Sequence, residues 1–276
     1  MKERASQGFL IGLLLGITLA AGMARADEAS LRADELRYDP AFQQIRARGN
    51  VSLERRGMTF DAEEAEAFLA EGRFRLWGNV GGRWEERQIE VNASSLTYAE
   101  EGGVEVAAEG DVRFRRGDEE LLCSRLVWRE SGFLHITGGF SAFFEARALE
   151  AEEALVEGDS FKILGLKRFE DAQSGLTFRA GRIEGRLEAG RVVEATAIDN
   201  VEAEFVGSDG RLMRLSGGRA LYSEARGTLV LSGSALARQA DRSLRADSLV
   251  LHLASRRIEA LGAPKITFSL PEKEAP

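Results

Sequence analysis

One pattern recurs along the chain: a small residue followed by apolar residues three and five positions later. It is plainest in Ala33-Asp34-Glu35-Leu36-Arg37-Tyr38, Ala93-Ser94-Ser95-Leu96-Thr97-Tyr98 and Ala246-Asp247-Ser248-Leu249-Val250-Leu251. Looser copies begin at Ala62, Cys123, Ala151, Ala180 and Gly217, making eight copies spaced 28 to 37 residues apart. A unit repeated at this spacing is one supersecondary element that cannot bury its apolar face alone, so it must stack on its neighbours.

Some 14 to 19 residues after each small residue comes a second element, two alternating stretches around a Gly-Asn or Gly-Asp pair, clearest in Ile45-Arg46-Ala47-Arg48-Gly49-Asn50-Val51-Ser52-Leu53. Relatives centre on Gly78, Gly110 and Gly233, with weaker ones on Gly138, Gly165, Asp199 and Gly262. Such pairs tolerate the positive φ of a tight turn or bulge. Elsewhere apolar and polar residues alternate with period two, the template of a strand with one dry and one wet face. Asp61–Glu71 and Phe143–Val156 are rich in Ala and Glu and read as helix in isolation. Both fall on repeat positions, however, and so are assigned to strands with bulges at Glu63-Glu64 and Glu152-Glu153. Only Pro40 and Pro264 interrupt the body, as expected where nearly every N–H is needed for a ladder. Eight repeats of two strands predict roughly 16 strands in an all-β chain.

The first 26 residues read as an export signal. Lys2 and Arg4 precede the apolar stretch Phe9–Ala21, and Ala24-Arg25-Ala26 offers small residues for cleavage before Asp27. Phe9–Met23 would make about 22 Å of helix against a hydrocarbon core of about 30 Å, too short for a comfortable span. The formal charge is -8, and removing residues 1–26, which carry a net +2, leaves -10. A body that acidic has no overall attraction for nucleic acid. Residues 27–276 form the mature body, with any junction between two modules placed within 157–200, where the copies are least regular.

Chemistry-bearing residues are sparse. His135 and His252, the only histidines, occupy the polar phase of alternating strands, and Cys123, the only cysteine, fills a slot that is Ala in most copies. Solvated strand histidines and a packed thiol are the expected roles. The many carboxylates alternate with Arg or with apolar residues, as in Glu184-Gly185-Arg186-Leu187-Glu188, and are expected to form cross-strand ion pairs on a wet face. No catalytic residue, metal site or cofactor is assigned, and an enzyme is not expected.

The residues Ala33-Asp34-Glu35-Leu36-Arg37-Tyr38-Asp39 followed by Ala47-Arg48-Gly49-Asn50-Val51-Ser52-Leu53 resemble the opening repeat of the LptA/OstA-type periplasmic lipopolysaccharide-transport proteins. The resemblance runs as a repeat from Leu31 to Leu270, with the family's specific wording kept in the first three copies and the last. It implies a long antiparallel β-jelly roll, V-shaped in section and open at its ends, whose interior holds acyl chains of lipopolysaccharide. It also implies end-to-end stacking, on copies of itself or on related jelly-roll domains at the inner and outer membranes, into a bridge across the periplasm. Burying about ten methylenes is worth on the order of 8 kcal/mol, so a continuous apolar trough would hold such a chain.

One phase of each strand should line that trough: Leu36, Tyr38, Val51, Leu53, Phe60, Phe74, Leu76, Val80, Leu96, Tyr98, Val106, Val112, Phe114, Phe178, Phe205, Tyr222, Leu231, Leu249, Leu251 and Phe268. Arg37, Ser52, Arg75 and Arg113 should face water. The terminal strands should be open edges, with Leu36, Tyr38, Ile266 and Phe268 offered to a partner strand. Alternatives are an LptC-like role anchored in the inner membrane if the N-terminal segment is retained, a parallel β-helix that binds or cleaves polysaccharide, and a structural envelope repeat protein.

Overall fold

The computed structural model describes residues 29–269 apart from 56, 86–87, 101, 208–209 and 241. The expected signal sequence lies outside the described residues. Nineteen strands follow one another: β1 (Ala29–Arg32), β2 (Glu35–Asp39), β3 (Gln44–Arg55), β4 (Met58–Phe68), β5 (Arg73–Trp84), β6 (Ile89–Ala99), β7 (Glu105–Arg116), β8 (Glu119–Arg129), β9 (Phe133–Phe144), β10 (Arg147–Ala151), β11 (Glu153–Glu157), β12 (Ser160–Asp171), β13 (Leu176–Glu188), β14 (Arg191–Val206), β15 (Leu212–Ser223), β16 (Thr228–Gln239), β17 (Arg242–His252), β18 (Arg257–Leu261) and β19 (Lys265–Phe268). A short 3-10 turn, Leu69–Glu71, links β4 to β5.

Three of the expected long strands are interrupted, β1/β2 at Ala33-Asp34, β10/β11 at Glu152 and β18/β19 at residues 262–264, which reconciles nineteen with sixteen. Neighbouring strands pair antiparallel along the chain, for instance β3 with β4, β7 with β8 and β16 with β17. That pairing removes the parallel β-helix, whose rungs would run parallel.

The chain divides into two compact units, one built from β1 to β9 and β11, the other from β10 and β12 to β19. In the N-terminal unit the ladders between the long strands shift register near the middle, and the pairing shows why. Arg48 pairs with Glu64 and Val51 with Ala62, so Gly49 and Asn50 together face the single residue Glu63. Gly78-Asn79 and Gly110-Asp111 insert the same extra residue in β5 and β7. All six of these residues have positive φ, from 45° to 78°. The expected bulges at Glu63-Glu64 and Glu152-Glu153 are therefore corrected: the extra residue belongs to the neighbouring Gly-Asn strand, where the left-handed conformation costs least, and Glu152 instead breaks its strand into β10 and β11. What Glu63 marks is the change of phase, because Ala62 and Ala65 are both buried although three positions apart.

The bulges divide each long strand of the N-terminal unit into two arms, and the arms fold toward one another. One core joins Leu53 and Phe60 of one arm to Ala65, Leu76, Leu96 and Tyr98 of the other. The C-terminal unit repeats the scheme, with Asp199-Asn200 bulged against Gly181 and Gly218, and Gly233-Ser234 bulged against Asp247. In that unit Arg256, in the turn after β17, reaches across to the far strand ends: its Nη1 donates to the Val206 carbonyl at 2.7 Å and its Nη2 to the Ser174 carbonyl at 3.0 Å.

Candidate functional site: an apolar interior between folded arms

The recurring three- and five-position residues become the interior. Ala65, Leu96, Leu126, Ala154, Ile183, Ala220 and Leu249 are buried at the first position, and Ala67, Tyr98, Trp128, Val156, Tyr222 and Leu251 at the second. Of the twenty residues expected to line a trough, Val51, Leu53, Leu76, Val80, Leu96, Tyr98, Val112 and Phe114 are buried in the N-terminal unit, with Phe60, Phe74 and Val106 half-buried beside them. Phe178, Phe205, Tyr222, Leu231, Leu249 and Leu251 are buried in the C-terminal unit.

Three of the twenty do not face an interior: Leu36, Tyr38 and Phe268 are 52%, 58% and 57% exposed. β2 is paired with β3 and β19 with β17, and at these positions the side chains of both strands lack the covering layer that the inner strands have. Ile266 is likewise 58% exposed. On the opposite phase Arg37, Arg75 and Arg113 are exposed and Ser52 is half-buried.

A narrow carbon-lined cleft of about 100 Å³ lies between the arms of the N-terminal unit. Met58, Phe60, Gly82, Trp84, Ile89, Val91, Val112 and Phe114 line it from one arm, and Leu96, Val106, Ala108, Leu126 and Trp128 from the other. Gly82 lets the wall pack closely, since a Cβ there would lie 2.6 Å from Val91 and 2.8 Å from Phe60. Sequence reasoning had named Phe60, Leu96, Val106, Val112 and Phe114 but not Trp84 or Trp128. Trp128 sits five residues after Cys123, so the repeat itself marks it; Trp84 ends its strand, and no repeat position marks it.

The wet face carries the expected cross-strand ion pairs, among them Arg46–Glu66 at 3.0 Å, Arg125–Glu109 at 3.0 Å and Arg214–Glu204 at 2.9 Å. Exposed pairs of this kind each contribute about 0–1 kcal/mol. His135 and His252 are half-exposed, with Nε2 2.9 Å from Glu153 and 3.4 Å from Glu259 respectively. Cys123 is buried, and desolvation pushes its thiol up to about 12. Among the described residues no group of His, Cys, Asp and Glu is arranged to hold a metal ion.

Charged groups also reach the interior: Arg147 and Asp171 are buried together in the C-terminal unit, and Arg55 lies against the core of the N-terminal unit. Arg55, at the end of β3, lies 5.2 Å from the Phe74 ring centre and 5.1 Å from that of Tyr98. Its Nη2 donates to Glu100 Oε1 at 2.7 Å, and the Tyr98 hydroxyl donates to the same oxygen at 2.7 Å. These contacts tie the tip of one arm to the opposite tip.

No protein-family model matches the chain, and no curated protein matches it. Among solved structures it is similar to LptH of Pseudomonas aeruginosa, described as the LptA-homologous periplasmic component of the lipopolysaccharide transport device. That match has 14% sequence identity and a TM-score of 0.26, and covers 67% of this chain and 96% of that one. The fold described above is read from the chain's own strand pairings.

Proposed function

We propose that the chain is a non-enzymatic lipid carrier of the bacterial envelope, holding the acyl chains of lipopolysaccharide between its folded arms. The observation that carries this reading is the cleft of the N-terminal unit, walled by carbon from both arms. The resemblance of residues 33–53 to the LptA/OstA family supports the choice of lipid, and the export signal read in residues 1–26 supports a periplasmic location. A chain lying in such a cleft exchanges water for hydrocarbon at roughly 0.8 kcal/mol per methylene, without any directional contact that would fix its position. That suits transport, in which a lipid must slide as well as bind.

The exposed apolar residues of the terminal strands support the rest of the reading. β2, paired with β3, offers Leu36 and Tyr38, and β19, paired with β17, offers Ile266 and Phe268, and no further partner in its own unit is found for either strand among the described residues. Joining β19 of one copy to β2 of the next, or either edge to a related jelly-roll domain, would satisfy those backbone groups and extend the path.

The test is extraction of the protein, purified from an envelope-bearing host without detergent, followed by mass spectrometry of the organic phase. Lipopolysaccharide or lipid A is expected to co-purify, and Val106→Trp, which fills the cleft, is expected to reduce the amount several-fold. Protein that is folded and free of lipid, with no uptake on titration, overturns the reading.

A further inference from the structure

Arg55 is an unusual group to find against an apolar interior. Its side chain is only 11% exposed, and although Nη2 is satisfied by Glu100, Nε and Nη1 are buried without a hydrogen-bond partner. Unmatched donors on a desolvated cation are costly, and a planar guanidinium with a free fork is the side chain best shaped to receive a carboxylate or phosphate. Phe74 and Tyr98, which lie side by side against the guanidinium, pack on the same core as Leu96, Phe60 and Val106, and these three line the carbon-walled cleft. A cation with open donors thus packs on the same core that forms a wall of the cleft.

We infer that Arg55 is the receptor for the anionic headgroup of an amphiphile whose chain occupies the cleft, with Glu100 as the built-in occupant that the ligand's anion replaces. The inference rests on the carrier reading and deepens it by assigning the charged end of the ligand. Glu100 neutralises Arg55 when the site is empty, held by the Tyr98 hydroxyl as well as by the guanidinium. Since Arg55 and Glu100 join opposite arm tips, replacing Glu100 by a ligand also releases the tie between the arms at the place where a chain would enter.

The full chain would be titrated with dodecyl phosphate and with dodecyl maltoside, both below their micelle-forming concentrations, and with inorganic phosphate alone. The expected result is a preference for dodecyl phosphate that Glu100→Gln increases about tenfold, by removing the competing anion. Arg55→Met should abolish the preference, so that dodecyl phosphate binds no more tightly than dodecyl maltoside, and Arg55→Lys, which keeps charge but not the fork, should fall between. Circular dichroism identifies any variant that fails to fold, and Glu100→Gln alone still decides the matter in that case. If both variants shift the two probes equally, or shift neither, the cleft holds chains but Arg55 does not read the headgroup, and the inference fails with the carrier reading intact. Inorganic phosphate displacing dodecyl phosphate at equal concentration overturns it in favour of a free-anion site. Binding of neither probe overturns both readings together.

Discussion

Gly78 and Gly102 have nearly the same left-handed backbone, with φ of 78° and 76°, but a Cβ at Gly78 would lie 2.7 Å from the Glu63 Cβ whereas Gly102 has open space. A non-glycine residue forced into this region costs of order 1–3 kcal/mol. Overpacking adds about 1–3 kcal/mol where the neighbour cannot withdraw. Gly78→Ala should therefore lower the urea midpoint clearly more than Gly102→Ala, and equal losses would show that the bulge is not held by that contact. Cys123 gives a second prediction at this scale. Its thiol is raised by burial from an ordinary 9.0 to about 12, so the folded state keeps a proton that the unfolded state loses. That contribution to stability is whole below about pH 9 and drains away as pH rises toward about 12. Tyr222, raised from 10.0 to about 12 by burial and then by Glu224, acts in the same direction. Urea midpoints should fall between pH 9 and 11, and Cys123→Ala, which fits the small slot, should flatten part of that fall.

The two-residue bulge is the element on which the fold turns. Its positions were legible because Gly-Asn and Gly-Asp pairs are chemically conspicuous, and the paired small residues were legible because only a small or flexible side chain suits the strand facing a bulge. Which strand holds the extra residue was not legible. Glu63-Glu64 breaks the apolar alternation as visibly as Gly49-Asn50 does, and only the pairing of Val51 with Ala62 and of Arg48 with Glu64 separates cause from response. The terminal elements were misread as lining, since alternation records which residues share a face and not whether anything covers it. Their exposure supports a prediction: Ile266→Lys and Tyr38→Lys, both at well-exposed positions, should leave the unfolding midpoint nearly unchanged. Each should nonetheless abolish any concentration-dependent increase in mass seen by light scattering. Association that survives both substitutions would place the contact elsewhere.

At the scale of the whole molecule, two units use the same device, a strand bent at a glycine-centred bulge so that its two arms bury a common apolar phase. Arg55 fastens the arm tips in one unit through Glu100 and two aromatic rings, and Arg256 fastens them in the other through two backbone carbonyls. Neither tie was visible in the sequence, because Arg55 and Glu100 are 45 residues apart, one ending β3 and the other just after β6, which are not neighbours. The repeat revealed the walls but not what holds them together. The central claim, that the space between the arms carries lipid, is tested most directly by placing a photoreactive benzophenone amino acid at single positions of the protein in growing cells. Adducts with lipopolysaccharide are expected at Phe60, Val106 and Phe114, which line the cleft, and not at Arg75 or Arg113, which face water. Adducts at the outward positions as readily as at the inward ones, or at none of the five in a folded and exported protein, would contradict it.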